Sequence, residues 1–201
     1  MKSLLYSAIC LTALMSTPVA WADAVPGDPA PAFRATDAGG HSHTLTEAIG
    51  GWLVLEWLTP ECDAVQQRYR DGTLPALQEA YREKGVTWLT VISSSPGPGN
   101  RIEPEDALAL ASEYGMQASA PILLDDTSIM ARAYGVSTAP NFFLIDPHGK
   151  VLYRGALQSE EAESSKATAL EAALQSALAG EPVDISSTEA KGCTLELDVQ
   201  P

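Results

Sequence analysis

Trp52 to Leu58 is a seven-residue run of large apolar side chains broken only by Glu56. A run of that length and composition reads as a buried strand, with side chains alternating between two faces. Thr59, Pro60 and Glu61 then break it, and Cys62 follows at the head of a helical pattern that starts with Asp63. A strand that turns sharply into a helix needs a sheet covered by helices. It also holds the Cys62 thiol at the positive end of a helix dipole, where thiolate is favoured. Glu61 and Asp63 flank the thiol, and their charges oppose that ionisation, so weak acidification is expected.

The amino terminus reads as an export signal. Lys2 is followed by an apolar stretch from Leu4 to Met15 and a small-x-small site at Ala20-Trp21-Ala22. Residues 1–22 are expected to be removed, which makes the protein periplasmic or secreted. The run is short for a membrane span and no second one follows, so no stable membrane anchor is expected. Cys10 falls inside the signal, and Ile9 before it is too large for a lipoprotein cleavage box. The remaining chain of about 180 residues suits one domain, residues 23–182, with a tail at 183–201. The formal charge of −14 becomes −15 on loss of Lys2, which argues against nucleic acid as a partner. Cleavage leaves Cys62 and Cys193. Two cysteines in an exported chain suggest a disulfide, although two free thiols are the alternative.

Along the chain, Asp37 to Gly40 reads as a hairpin turn between 33–36 and 43–45. Thr46 is a candidate cap for a short helix. His41 and His43 share a face in a strand, but no third ligand is evident and exposed loop histidines are the simpler reading. Residues 63–83 predict two helices separated near Gly72 and Pro75. Val86–Ser93 predicts a second buried strand. Pro104 fits the first position of a helix that presents Leu108, Ala111 and Tyr114. Ile122–Leu124 predicts a strand, and Asp125 or Asp126 caps a helix ending at Gly135. Asn141–Ile145 and Lys150–Arg154 form a hairpin around the 146–149 turn. Leu170, Leu174 and Ala177 mark the last helix. Strands alternating with helices make this an α/β fold with a mixed central sheet flanked by helices, an N-terminal β-hairpin and an inserted helix. Past residue 181 only Thr194–Val199 alternates like a strand.

Taken together, the strand leading to Cys62, the following strand and helices, and the segment from Val136 through Pro140 to Gly155 resemble the thioredoxin-like superfamily. The likeness is to its redoxin branch, which includes the alkyl hydroperoxide reductase/thiol-specific antioxidant (peroxiredoxin-like) group. The resemblance implies that Cys62 is the first cysteine of a Cys-x-x-Cys motif whose second cysteine is absent, Val65 standing there. It implies a cis bond between Ala139 and Pro140, beside the active cysteine, that helps receive extended substrate. It also implies that Glu56, six residues before Cys62, is a buried carboxylate. Thr59, three residues before Cys62, matches part of a peroxiredoxin pattern, but Leu55 stands at that pattern's proline.

Three functions remain open on these residues. The first is an exported thiol-disulfide oxidoreductase with Cys62 as nucleophile, Glu56 as proton relay and Cys193 as resolving cysteine. The second is an antioxidant thiol peroxidase. The third is a non-catalytic binding protein with a structural disulfide. Glu56 could instead be an exposed or ion-paired strand residue. Expected partners are protein thiols or disulfides, or a peroxide, with an exported thiol reductant. No cofactor is expected, and no metal, because no cysteine pair or Cys-His motif near Cys62 has ligand spacing.

Overall fold

The computed structural model describes residues 23–95, 101–116, 120–158 and 168–197. In chain order the elements are β1 (Arg34–Asp37), β2 (Ser42–Thr44), α1 (Leu45–Ala48), β3 (Trp52–Trp57), α2 (Asp63–Arg70), α3 (Thr73–Arg82) and β4 (Val86–Ser93). They continue with α4 (Pro104–Glu113), β5 (Ile122–Asp125), α5 (Ile129–Tyr134), β6 (Thr138–Ala139), β7 (Asn141–Ile145), β8 (Val151–Gly155), α6 (Ala169–Ala179) and β9 (Cys193–Thr194). The predicted export signal, residues 96–100 and the end of the tail lie outside the described residues.

Seven strands form one sheet in the order β2-β1-β5-β4-β3-β7-β8. The β3–β4 and β4–β5 pairs are parallel, whereas β1–β2, β1–β5, β3–β7 and β7–β8 are antiparallel. The apolar run thus becomes β3 at the interior of a mixed sheet. Its alternation sends Val54 and Leu58 into one core and Leu53, Leu55 and Trp57 into the other. The first core is closed by α2, α3, α4 and α6 through residues such as Tyr69, Leu74, Tyr81, Ala107, Leu170 and Leu174. The second is closed by α5 and the N-terminal segment, with Trp57, Tyr134 and Phe143 in mutual ring contact.

Local chemistry sets the helix ends. Gly72 takes φ 79° between α2 and α3, and Pro75 falls in the first turn of α3, where its missing N–H costs nothing. Asp125 accepts hydrogen bonds from the Met130 and Ala131 amides at the start of α5, and Gly135 ends that helix at φ 66°. Two expectations are corrected. The cap of α1 is Thr44, not Thr46: Thr44 and Glu47 form a reciprocal capping box. On α4, Leu108 is 53% exposed. Ala111 and Tyr114 face inward as expected, but Ala107 and Leu110 take the place expected of Leu108.

The tail is stitched to the domain. Arg154 N–H donates to Ser186 O, Thr188 N–H donates to Arg154 O, and the Thr188 hydroxyl contacts the Tyr153 hydroxyl at 2.7 Å. Gly155 makes this approach possible: a Cβ there would lie 2.2 Å from the Thr188 carbonyl oxygen. Farther on, β9 pairs antiparallel with β6, matching Thr194 to Thr138 and Cys193 to Ala139. The strand is shorter than the alternation from Thr194 to Val199 suggests, because β9 ends at Thr194.

Candidate active site

The turn between β3 and α2 is held by its own carbonyls. Cys62 N–H donates to Thr59 O, the Gln66 amide donates to Pro60 O at 2.8 Å, and the Tyr114 hydroxyl donates to Pro60 O at 3.2 Å. Cys62 is the N-cap residue of α2, in extended conformation, so its sulfur sits where the helix begins. That sulfur is bonded to Cys193, with Sγ–Sγ 2.11 Å and Cα–Cα 5.7 Å. It also lies 3.7 Å from the Ala139 carbonyl oxygen. The Ala139–Pro140 peptide is cis, as the resemblance implied. The three segments that sequence reading singled out, around Cys62, Pro140 and Cys193, therefore meet at one point.

Burial at this point is uneven. Cys62 is 0% exposed, whereas Cys193 is half-buried. A cleft of about 610 Å³ runs over the bond, lined in part by Thr59, Pro60, Cys62, Arg101, Ile102 and Cys193. The Thr59 hydroxyl donates to the Glu61 carboxylate at 3.2 Å.

Glu56 is fully buried, not exposed or ion-paired. It faces the same helix-covered core as Cys62 and accepts three hydrogen bonds. They come from the Tyr69 hydroxyl at 2.8 Å, the Gln78 amide at 3.0 Å and the Trp88 indole N–H at 2.8 Å. Burial pushes its carboxyl from 4.5 up to about 6, and the three donors offset only part of that rise. Burial and the nearby carboxylate push the Tyr69 phenol well above its ordinary value, so Tyr69 stays a donor. Tyr69 also stacks on Tyr114 at 4.6 Å. Glu56 is thereby connected through Tyr69 and Tyr114 to the Pro60 carbonyl in the turn that carries Cys62.

Tyr69, Gln78 and Trp88 were not singled out in sequence. Gln78 is the one with a readable signal, a polar side chain next to Leu77 on a face that turns out to be buried. His41 and His43 lie apart from the site, both against Asp37, with His43 Nε2 at 2.8 Å from the carboxylate.

This sheet, with a cysteine at the head of a helix and the carbonyl that precedes a cis-proline beside its sulfur, defines a thioredoxin-like protein. The redoxin family model matches residues 25–172, and the chain belongs to the redoxin family. It is similar to the thiol-disulfide oxidoreductase ResA of Geobacillus kaustophilus (strain HTA426), with 28% identity over 142 residues, 68% of this chain and 74% of the relative. Among solved structures it resembles an uncharacterized conserved protein of Geobacillus kaustophilus, at 25% identity and TM-score 0.75, covering 89% of this chain and 95% of the other. It also resembles a hypothetical protein of Sinorhizobium meliloti 1021, at 25% identity and TM-score 0.74, covering 88% and 96%.

Proposed function

We propose that this redoxin is an exported thiol-disulfide oxidoreductase whose redox centre is the Cys62–Cys193 pair. The observation that carries the reading is the bond itself, made by a helix-capping cysteine whose sulfur lies beside the carbonyl that precedes a cis-proline. The likeness to ResA supports the same chemistry. In the reduced protein the Cys62 thiolate attacks a substrate disulfide, forms a mixed disulfide and expels the substrate's other sulfur as thiolate. The Cys193 thiolate then attacks Cys62 Sγ. This forms the Cys62–Cys193 bond and releases the second substrate sulfur, so the substrate gains two electrons and the protein loses two. An exported dithiol restores the reduced pair by the same exchange in reverse.

Helix α2 favours the Cys62 thiolate as attacker and as leaving group. The Ala139 carbonyl borders the sulfur, Ala139 and cis-Pro140 shape substrate contact, and Thr59 lines the cleft. Glu56, poised near neutrality in the core it shares with Cys62, is assigned as the proton relay, held in place by Tyr69, Gln78 and Trp88. The leader at 1–22 directs export, 23–182 form the redoxin domain and 183–201 are its cysteine-bearing tail. A peroxidase reading has less support, because the Thr59 hydroxyl is engaged by Glu61.

The test is disulfide exchange by the wild type and by Cys62→Ser. Exchange should be lost in the variant, and an unchanged rate refutes the proposal. In glutathione and dithiothreitol buffers the pair should titrate above about −300 mV, and a bond surviving well below that value is structural, not catalytic.

A further inference from the structure

The tail does more than deliver a sulfur. Cys193 and Thr194 lie as a short antiparallel strand on Ala139 and Thr138, immediately before cis-Pro140. Leu195 N–H extends that contact by donating to Ser137 O at 2.9 Å. The side chain of Leu195 is buried in the core formed by Trp57, Tyr134, Val136 and Phe143. On the other side of the cysteine, Gly192 passes so close to β6 that a Cβ would stand 2.0 Å from the Ala139 carbonyl oxygen and 3.1 Å from Pro140 Cδ. Only a residue without a side chain fits that point unless the strand moves. The three positions differ in what they demand: no side chain before the cysteine, none in particular at exposed Thr194, and an apolar one at Leu195.

We infer that Gly192–Leu195 is a tethered substrate mimic, and that the site it occupies takes an extended partner segment of the form Gly-Cys-x-apolar by strand addition to β6. This rests on the oxidoreductase reading above. When the Cys62–Cys193 bond is reduced, residues 192–195 lose their covalent hold and vacate the β6 edge. Residues 186–188 remain tied to β8 by their own hydrogen bonds, so the tail swings out while staying nearby. The partner strand then brings its cysteine to Cys62 with main-chain hydrogen bonds supplying affinity and the flanking pockets supplying selectivity. After transfer the partner segment peels from β6, and the returning Cys193 thiolate attacks Cys62 Sγ in line with its bond to the partner sulfur, which leaves as thiolate. Tail and partner compete for pairing with β6, so the return of the tail couples resolution to product release.

The experiment uses full-length Cys193→Ser, which cannot close the intramolecular bond. Peptides carrying Gly-Cys-Thr-Leu, Leu-Cys-Thr-Leu or Gly-Cys-Thr-Asp, each activated as a mixed disulfide with thionitrobenzoate, are offered at equal concentration. Release of the coloured thiolate reports attack by Cys62 on the peptide sulfur. The first peptide should react at least tenfold faster than either of the others. Equal rates that still exceed the Cys62→Ser, Cys193→Ser background overturn the substrate-mimic inference and leave the oxidoreductase reading standing. Rates no higher than that background overturn both. A second measurement uses Gly192→Ala with both cysteines present, equilibrated in glutathione buffers. The ratio of oxidised to reduced protein should fall at least fivefold at a fixed poise, and a ratio within twofold of wild type overturns the glycine requirement.

Discussion

Replacing Glu56 with Gln isolates what the buried carboxyl contributes to stability. In the fold its pKa is about 6, against 4.5 for the exposed group. Because the folded value is raised, the folded state binds the proton more tightly than the unfolded chain. Its stabilising contribution is complete below 4.5 and is lost as pH rises through about 6. A rise of this size corresponds to about 2 kcal/mol. Its cause is desolvation of the carboxylate, set against three donors from Tyr69, Trp88 and Gln78. Urea unfolding of the oxidised wild type and Glu56→Gln, from pH 4 to pH 8, gives the stability difference at each pH. The amide does not titrate in this range, so any constant change in hydrogen bonding cancels from the slope. Wild type should lose about 2 kcal/mol relative to the variant between the two ends, with the change centred between the two pKa values. A flat difference would mean that the carboxyl is not perturbed. A slope of the opposite sign would mean that the three donors outweigh desolvation, which refutes the reasoning directly.

The same unfolding assay reaches two further features. Reducing the Cys62–Cys193 bond, which spans 131 residues, should lower stability by about 2–4 kcal/mol, with chain-closure entropy setting a ceiling near 5 kcal/mol. Cys193→Ala should reproduce most of that loss without reductant, and a loss below about 0.5 kcal/mol would show that the bond hardly constrains the chain. Gly155→Ala should cost about 1–3 kcal/mol, because its added Cβ meets the Thr188 carbonyl at 2.2 Å and its φ of 136° disfavours any side chain. A stability within about 0.5 kcal/mol of wild type would mean that the tail gives way there at little cost.

Much of this fold can be read from residue order because burial alternates with the strand period and helix ends carry their own chemistry. The run before Cys62, the break near Gly72, Pro104, Gly135 and the hairpin at 146–149 all behave this way. Leu108 shows the limit: next to Ala111 and Tyr114, both Leu108 and Ala107 are apolar, and only packing decides which of the two is buried. Glu56 shows another. Its burial follows from the strand's alternation, but its partners sit 13, 22 and 32 residues away, and no local pattern pairs a Tyr, a Gln and a Trp with one carboxyl. Cys193 was visible as the second cysteine, yet its pairing depended on where the tail runs. The deciding contacts there, Gly155 against Thr188 and Gly192 against Ala139, are close approaches of backbone that leave no pattern beyond a glycine.

The long span of the Cys62–Cys193 bond also orders events during synthesis. Every element from α2 to α6 lies between the two cysteines. At ordinary translation rates Cys62 leaves the ribosome on the order of ten seconds before Cys193 does. The strand, turn and helix that present the first sulfur are therefore made well ahead of the residue that covers it. Each newly made molecule begins with an unpaired thiol, and its uncapped β6 edge stays open to strangers until its own last segment arrives.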